Sequence, residues 1–171
     1  PSSSAWGDAT WPLPIWGDDK PVISDGFKRY AVKDPKTGEQ RSRQHLGVDV
    51  MFKNRRSEKP QIPVRTKWFH CGVDVPMVAM LPGTVHFAGD TPTGWTVRID
   101  HHATFGFPLV TYYTHQSLLF VAEGVEVIAG QIIGLVGNSP LTENDPNHGH
   151  VEFWDYTHGS RPRLERCLDP T

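Results

Sequence analysis

The amino-acid sequence predicts an all-β fold, a single domain built on an antiparallel β-sheet core. Two observations carry that expectation. The 16 glycines and 15 prolines cut the 171-residue chain into many short apolar runs, the punctuation of strands joined by tight turns. No window shows the 3.6-residue periodicity of a long amphipathic helix. The length suits one domain with an adequate core.

Taken in order, residues 1–22 read as an irregular lead-in, with Trp6, Trp11 and Trp16 at a spacing that fits neither helix nor strand. These rings either pack onto the outside of the domain or stack on sugar rings. The domain proper is expected over residues 23–171. The segment 23–30, a glycine-containing entry with Gly26 inside it, leads to the turn residues Asp34-Pro35-Lys36-Thr37-Gly38. His45-Leu46-Gly47-Val48-Asp49-Val50 reads as the next strand. Residues 51–67 set Lys53, Arg55, Arg56, Lys59, Arg65 and Lys67 against the single acid Glu58. Such a stretch is either a solvated charged loop or a lure for an anionic polymer. Half-buried strands are expected over 77–81, 84–88, 95–100 and 109–115, with Pro82-Gly83 turning between the first two. A hairpin over 125–128 and 131–136 turns at Ala129-Gly130. The polar loop 137–147 then delivers the chain to a strand beginning at His148, and 161–171 form a polar tail.

A net charge of −2 and a pI near 6.5 give no reason to expect nucleic acid, which attracts strongly basic surfaces. No stretch reaches the length of a transmembrane helix, and the N-terminus lacks a charged segment followed by an apolar one, so a soluble chain is expected. Cys71 and Cys167 form no Cys-x-x-Cys, which excludes a cysteine zinc site; they are either one disulfide or two separate thiols.

The nine histidines are the informative anomaly. In Asn147-His148-Gly149-His150-Val151-Glu152-Phe153 the two imidazoles share one face of an extended strand, because side chains alternate. Each ring needs a hydrogen-bond or metal partner once it leaves water, so the pair is either an ordinary exposed one or half of a metal site. An offset of four likewise puts His45 and Asp49 on one strand face, where imidazole and carboxylate can converge on one ion. His70-Cys71-Gly72-Val73-Asp74 repeats that spacing, but runs at once into Pro76-Met77-Val78-Ala79 and leaves little room for a ligand strand. His45 and Asp49 are therefore the expected pair. Glu152 shares the face of His148 and His150, and is either a steadying partner of a ligand ring or a surface carboxylate. Tyr113 is placed by the same alternation on the face of His115, with aromatic packing as its role.

These pieces, in this order, resemble the lysostaphin-type, or LytM-like, zinc metallopeptidases. The likeness spans about residues 24–170. It rests on Ser24-Asp25-Gly26-Phe27, His45-Leu46-Gly47-Val48-Asp49, Val78-Ala79-Met80-Leu81-Pro82-Gly83-Thr84-Val85, Tyr113-Thr114-His115, the hairpin 124–134 and His148-Gly149-His150-Val151-Glu152-Phe153. It implies a LytM-type antiparallel core related to barrel-sandwich hybrids. It also implies one Zn2+ per chain held by His45, Asp49 and His150, with His115 and His148 as unligated catalytic histidines. Three protein ligands leave a fourth tetrahedral position for water, which agrees with hydrolysis. The implied activity is endopeptidase cleavage of peptidoglycan peptide cross-links, by a bacterial wall enzyme or a phage endolysin. The implied setting is extracytoplasmic, with wall peptides as partner, no membrane span and a monomer favoured. His101 and His102 follow Asp100 where the family commonly has an Asp-His pair, and are assigned structure.

Two departures bear on specificity rather than on the metal. The basic segment after Asp49 is longer than the family's usual link, and Ser139-Pro140-Leu141-Thr142-Glu143-Asn144-Asp145-Pro146 replaces a short run of small residues. Three other readings compete. A metal-free LytM-like domain that regulates other wall hydrolases would have lost ligands, whereas all five positions are filled here. A lipoyl-type carrier would need a lysine at a hairpin tip, and neither Pro82-Gly83 nor Ala129-Gly130 has one. Another zinc peptidase class would need His-Glu-x-x-His, which is absent.

Overall fold

The structure, a computed structural model, describes residues 9–14, 21–34, 36–52, 75–139, 147–156 and 167–168. The strands are β1 (Pro21–Asp25), β2 (Lys28–Lys33), β3 (Gln40–His45), β4 (Gly47–Phe52), β5 (Pro76–Val78) and β6 (Gly83–Gly89). They continue as β7 (Trp95–Asp100), β8 (Leu109–Leu119), β9 (Glu126–Val127), β10 (Ile132–Val136), β11 (Gly149–Asp155) and β12 (Cys167–Leu168). Among the described residues the only helix is the single turn α1, His102–Phe105, closed by Gly106 in the left-handed conformation at φ 74°.

Ten strands form one sheet whose spine runs β1-β4-β11-β8-β7-β6-β9, while β2 and β3 pair as a separate hairpin. The all-β expectation holds, and every pairing is antiparallel. The length of β8 explains how the sheet turns back over its own core. Its first half pairs with β7 and β11, and its last residues, Gln116 to Leu119, pair with β10. The change of partner falls at His115, where the β7–β8 register slips between Trp95/Val97 and Gln116/Tyr113. His115 has φ 61°, the one non-glycine among the described residues with positive φ. A β-bulge of this kind bends the strand and re-aims the side chain at the break.

Alternation then assigns the two faces. Val48, Val50, Val151, Tyr113, Val97, Ile99 and Val85 point inward and meet Leu13, Met77, Ile133 and Val136. Burying such a valine or leucine contributes about 1.5–3 kcal/mol. Residues 9–14 of the lead-in form no strand or helix, yet Leu13 lies fully buried in that core while Trp11 stays exposed, and β1 begins at Pro21, inside the lead-in's expected bounds. Two backbone bonds seat the segment: Thr10 donates to Met80 and Val78 donates to Pro12.

The entry segment 23–30 holds parts of two strands broken at Gly26 and Phe27, and the second forms a hairpin with β3 about the turn at Asp34. Two expectations need correction. His45 and Asp49 do not share one uninterrupted strand: the chain leaves β3 after His45 and re-enters the sheet at Gly47. Tyr113 does not share the face of His115, because the bulge between them shifts the alternation by one. Tyr113 goes into the core, where its hydroxyl accepts the Met80 N–H at 2.8 Å. The basic stretch after Phe52, the His70–Asp74 repeat, Cys71 and the acidic part of the loop before Asn147 lie outside the described residues.

Candidate metal centre

Asp49 on β4 stands directly opposite His150 on β11, and His150 stands opposite Thr114 on β8. The sheet register thus fixes three adjacent strands before any side chain is placed. The Asp49 backbone is also held from outside, since Ser24 Oγ donates to its carbonyl at 3.2 Å. Asp49 Oδ1 lies 2.7 Å from His150 Nδ1 and 3.2 Å from His45 Nε2, and those two nitrogens are 3.2 Å apart. His148 Nε2 comes within 3.5 Å of the same oxygen. His45, Asp49 and His150 therefore converge despite the break at Leu46, because that break turns the His45 ring back over the Asp49 carboxylate.

The donor set suits a zinc ion. Tetrahedral zinc with bonds of about 2.0–2.2 Å has ligand atoms about 3.3–3.5 Å apart. Two of the three edges already approach that length, and the short Asp49–His150 edge needs to open by about half an ångström. The remaining ring nitrogens are committed in the sense a metal site requires. His45 Nδ1 donates to the Gly26 carbonyl at 2.8 Å, leaving Nε2 towards Asp49. His150 Nε2 donates to Glu152 Oε1 at 3.1 Å, leaving Nδ1 towards Asp49, and Glu152 Oε2 accepts from the Trp154 indole at 2.7 Å. Partners of this kind fix the tautomer and raise the basicity of a ligand ring. Glu152 is buried and holds the His150 ring in place, and so is not a surface carboxylate.

Gly47 makes room for this arrangement. It faces Glu152 across the β4–β11 pair, and a Cβ there would meet the Val151 carbonyl oxygen at 2.2 Å and His150 Nε2 at 2.9 Å. Neither backbone nor a doubly bonded ring can give way by that much.

His115 completes the cluster from the bulge. Its ring centroid lies 5.0 Å from that of His148 and 5.3 Å from that of His150, and its Nδ1 donates to the Ser139 carbonyl at 2.8 Å. Its Nε2 is left as an acceptor. His115, His148 and His150 form a second group of nitrogens close enough to hold an ion. That group has no carboxylate to offset metal charge, whereas the His45, Asp49 and His150 group has one.

Electrostatics separates the roles. Burial works to raise the Asp49 carboxyl, but its bonds to His150 and His45 and the neighbouring imidazoles outweigh that and hold it well below the usual carboxylate range. Burial works to lower His150, but its bonds to Asp49 and Glu152 push it up to about 9 in the metal-free site. Burial and the two neighbouring histidines bring His115 down to about 4, so it is neutral at pH 7. His101, by contrast, is a structural histidine: fully buried, it donates from Nδ1 to the Pro82 carbonyl at 2.7 Å and accepts at Nε2 from Thr111 at 2.8 Å.

Sequence reasoning overlooked the Gly26 and Ser139 carbonyls, the Trp154 indole and the role of Gly47. Trp154 carried a signal, since it lies two residues beyond Glu152 on the same strand face.

The sequence matches the model of peptidase family M23 over residues 68–162, a stretch that holds His115, His148 and His150 and begins after Asp49. No curated protein sequence matches it. Among solved structures, the fold is similar to the SpoIIIAH and SpoIIQ complex at a TM-score of 0.63 and 20% identity, covering 95% of this chain and 96% of that one. It is similar to the catalytic domain of lysostaphin from Staphylococcus simulans at a TM-score of 0.58 and 21% identity, over 90% of each chain. It is also similar to a zinc-containing peptidase from Vibrio cholerae at a TM-score of 0.59 and 23% identity, covering 94% of this chain and 39% of that longer one. With a family match over more than half its length, on a fold shared with these proteins, the chain belongs to peptidase family M23.

Proposed function

We propose that the protein is a zinc-dependent endopeptidase that hydrolyses amide bonds in the peptide cross-links of peptidoglycan, outside the cytoplasm. The observation that supports this reading is the convergence of His45 Nε2, Asp49 Oδ1 and His150 Nδ1 within 3.2 Å of one another, with His115 and His148 beside them. His45, Asp49 and His150 would hold the ion. Zinc supplies a Lewis acid and lowers the pKa of a coordinated water to about 7.

The chain's own residues do the rest. His115 points its Nε2 acceptor into the site because Nδ1 is tied to Ser139, so it can orient an attacking water and take up its proton. Burial keeps that ring neutral at pH 7 and so free to accept a proton, and its imidazolium can then hand one to the departing amine. His148, between His115 and Asp49, is placed to steady negative charge developing on the carbonyl oxygen. Glu152 keeps His150 in the tautomer that presents Nδ1.

A binding role is the alternative, favoured by the similarity to a structure described as a SpoIIQ–SpoIIIAH pore-forming complex. The two readings separate in one experiment. Purified cell wall is incubated with zinc-loaded protein, and new amino groups and new reducing sugar ends are counted separately. Hydrolysis of cross-links yields amino groups alone. Reducing ends without amines would reject the peptidase, and neither product would leave the binding reading in possession.

A further inference from the structure

One row beyond the candidate metal site, Phe87, Arg98, Tyr112, Glu152 and Gly47 stand opposite one another on β6, β7, β8, β11 and β4. Arg98 therefore rises from the same face of the sheet as His150. Its guanidinium carbon lies 4.6 Å from the Phe87 ring centroid and 4.7 Å from that of Tyr112, one ring on each neighbouring strand. Contacts of this kind fix the plane of the guanidinium. They do not neutralise it. Among the described residues no carboxylate reaches Arg98, and its buried Nε has no hydrogen-bond partner. Two acids on this face, in the same row and one step along, are engaged elsewhere: Glu152 by His150 and Trp154, and Asp100 by the His102 N–H at 2.8 Å.

A half-buried cation held between two rings, with no carboxylate in reach among the described residues, is an incomplete ion pair. Flanked by two rings and only half-buried, the guanidinium keeps N–H donors whose planar fork matches two carboxylate oxygens. We propose that Arg98 is a specificity-determining residue that seats a free carboxylate of the peptide substrate. Arg98 is two strands from His150 and one two-residue step along the sheet, so their Cα atoms are about 12 Å apart. An extended peptide advances about 3.3–3.6 Å per residue, so the carboxylate belongs about three residues from the bond cut. The proposal rests on the peptidase reading and adds to it a substrate feature.

The test uses soluble wall peptides, released from purified wall by a glycosidase, as made and with their carboxylates converted to amides. Binding to zinc-loaded native protein, Arg98→Met and Arg98→Lys is measured by titration, following the Arg98 Nε–H signal where arginine is present. The native protein is expected to bind the carboxylate form about tenfold or more tighter, the range for a hydrogen bond to a charged group. Arg98→Met should lose that preference, and Arg98→Lys, with a point charge and no fork, should keep only part of it. With cleavable wall, Arg98→Met should raise KM and spare kcat. Equal binding of the two forms by native protein, or an undiminished preference in Arg98→Met, would overturn the proposal. A native protein that shows the preference but releases no amino groups from wall would instead overturn the peptidase reading and leave the subsite standing.

Discussion

Replacing Glu152 with glutamine tests the proposed zinc site, because the two side chains share a shape and differ in what one atom can accept. In the native site one carboxylate oxygen accepts from His150 Nε2 at 3.1 Å and the other from Trp154 at 2.7 Å. An indole N–H can only donate, so the glutamine oxygen turns to Trp154 and its NH2 group faces His150. The imidazole must then carry its proton on Nδ1, the atom that faces Asp49 and the ion. Loss of such a partner costs a metal site about 10- to 100-fold in affinity, or about 1.4–2.7 kcal/mol. Proton competition acts in the opposite sense. In the metal-free native site His150 is held protonated to about pH 9, two pH units above neutrality, so at pH 7 its proton keeps zinc affinity about a hundredfold below the high-pH limit. Without the Glu152 charge that pKa falls and the competition weakens. The assay is therefore competition against a chromophoric chelator at a series of pH values, from mildly acid to beyond the His150 pKa. Native affinity should climb by about tenfold per pH unit or more, since His45, also raised, must lose its proton as well, and level off near pH 9, and the variant should climb less but reach a plateau at least about tenfold lower. Coincident plateaus would refute the argument.

Elemental analysis of purified protein should give about one zinc per chain, and His150→Ala should empty the site; full occupancy in that variant would sink the ligand set. His45→Ala and Asp49→Ala should lose metal and wall hydrolysis together, while His70→Ala and Asp74→Ala should keep both. The opposite pattern would move the site to the second His-x-x-x-Asp. His115→Ala should retain zinc and lower turnover by about a hundredfold or more, the scale of a lost acid–base group; normal turnover would remove His115 from the chemistry.

The all-β fold and the members of the cluster were legible because they depend on local pattern. Strand β7 falls over 95–100 as the alternation of Trp95 to Asp100 predicts, and His148 and His150 flank one carboxylate as their spacing predicts. The sequence could not disclose where alternation fails. Nothing in Tyr113-Thr114-His115 marks a bulge, since a bulge is imposed by the partner strands: β8 passes from β7 to β10 there. Strand β3 was hidden for a similar reason. Gln40–His45 has no apolar face of its own and is held by pairing with β2. The hydrogen-bond partners of the histidines were hidden because two are backbone carbonyls, which every residue carries and which only folding selects.

The left-handed backbone of His115 also sets a conflict of interest within the chain. A residue with a Cβ at φ 61° gives up about 1 kcal/mol or more relative to a relaxed strand, and glycine would sit there without that strain. Two residues earlier, Tyr113 fills the core and selection for folding and for reactivity agree. At position 115 they diverge. A library screened for heat resistance alone should drift from histidine towards glycine at this position with the melting temperature held or raised, and one screened for cutting should return to histidine each time.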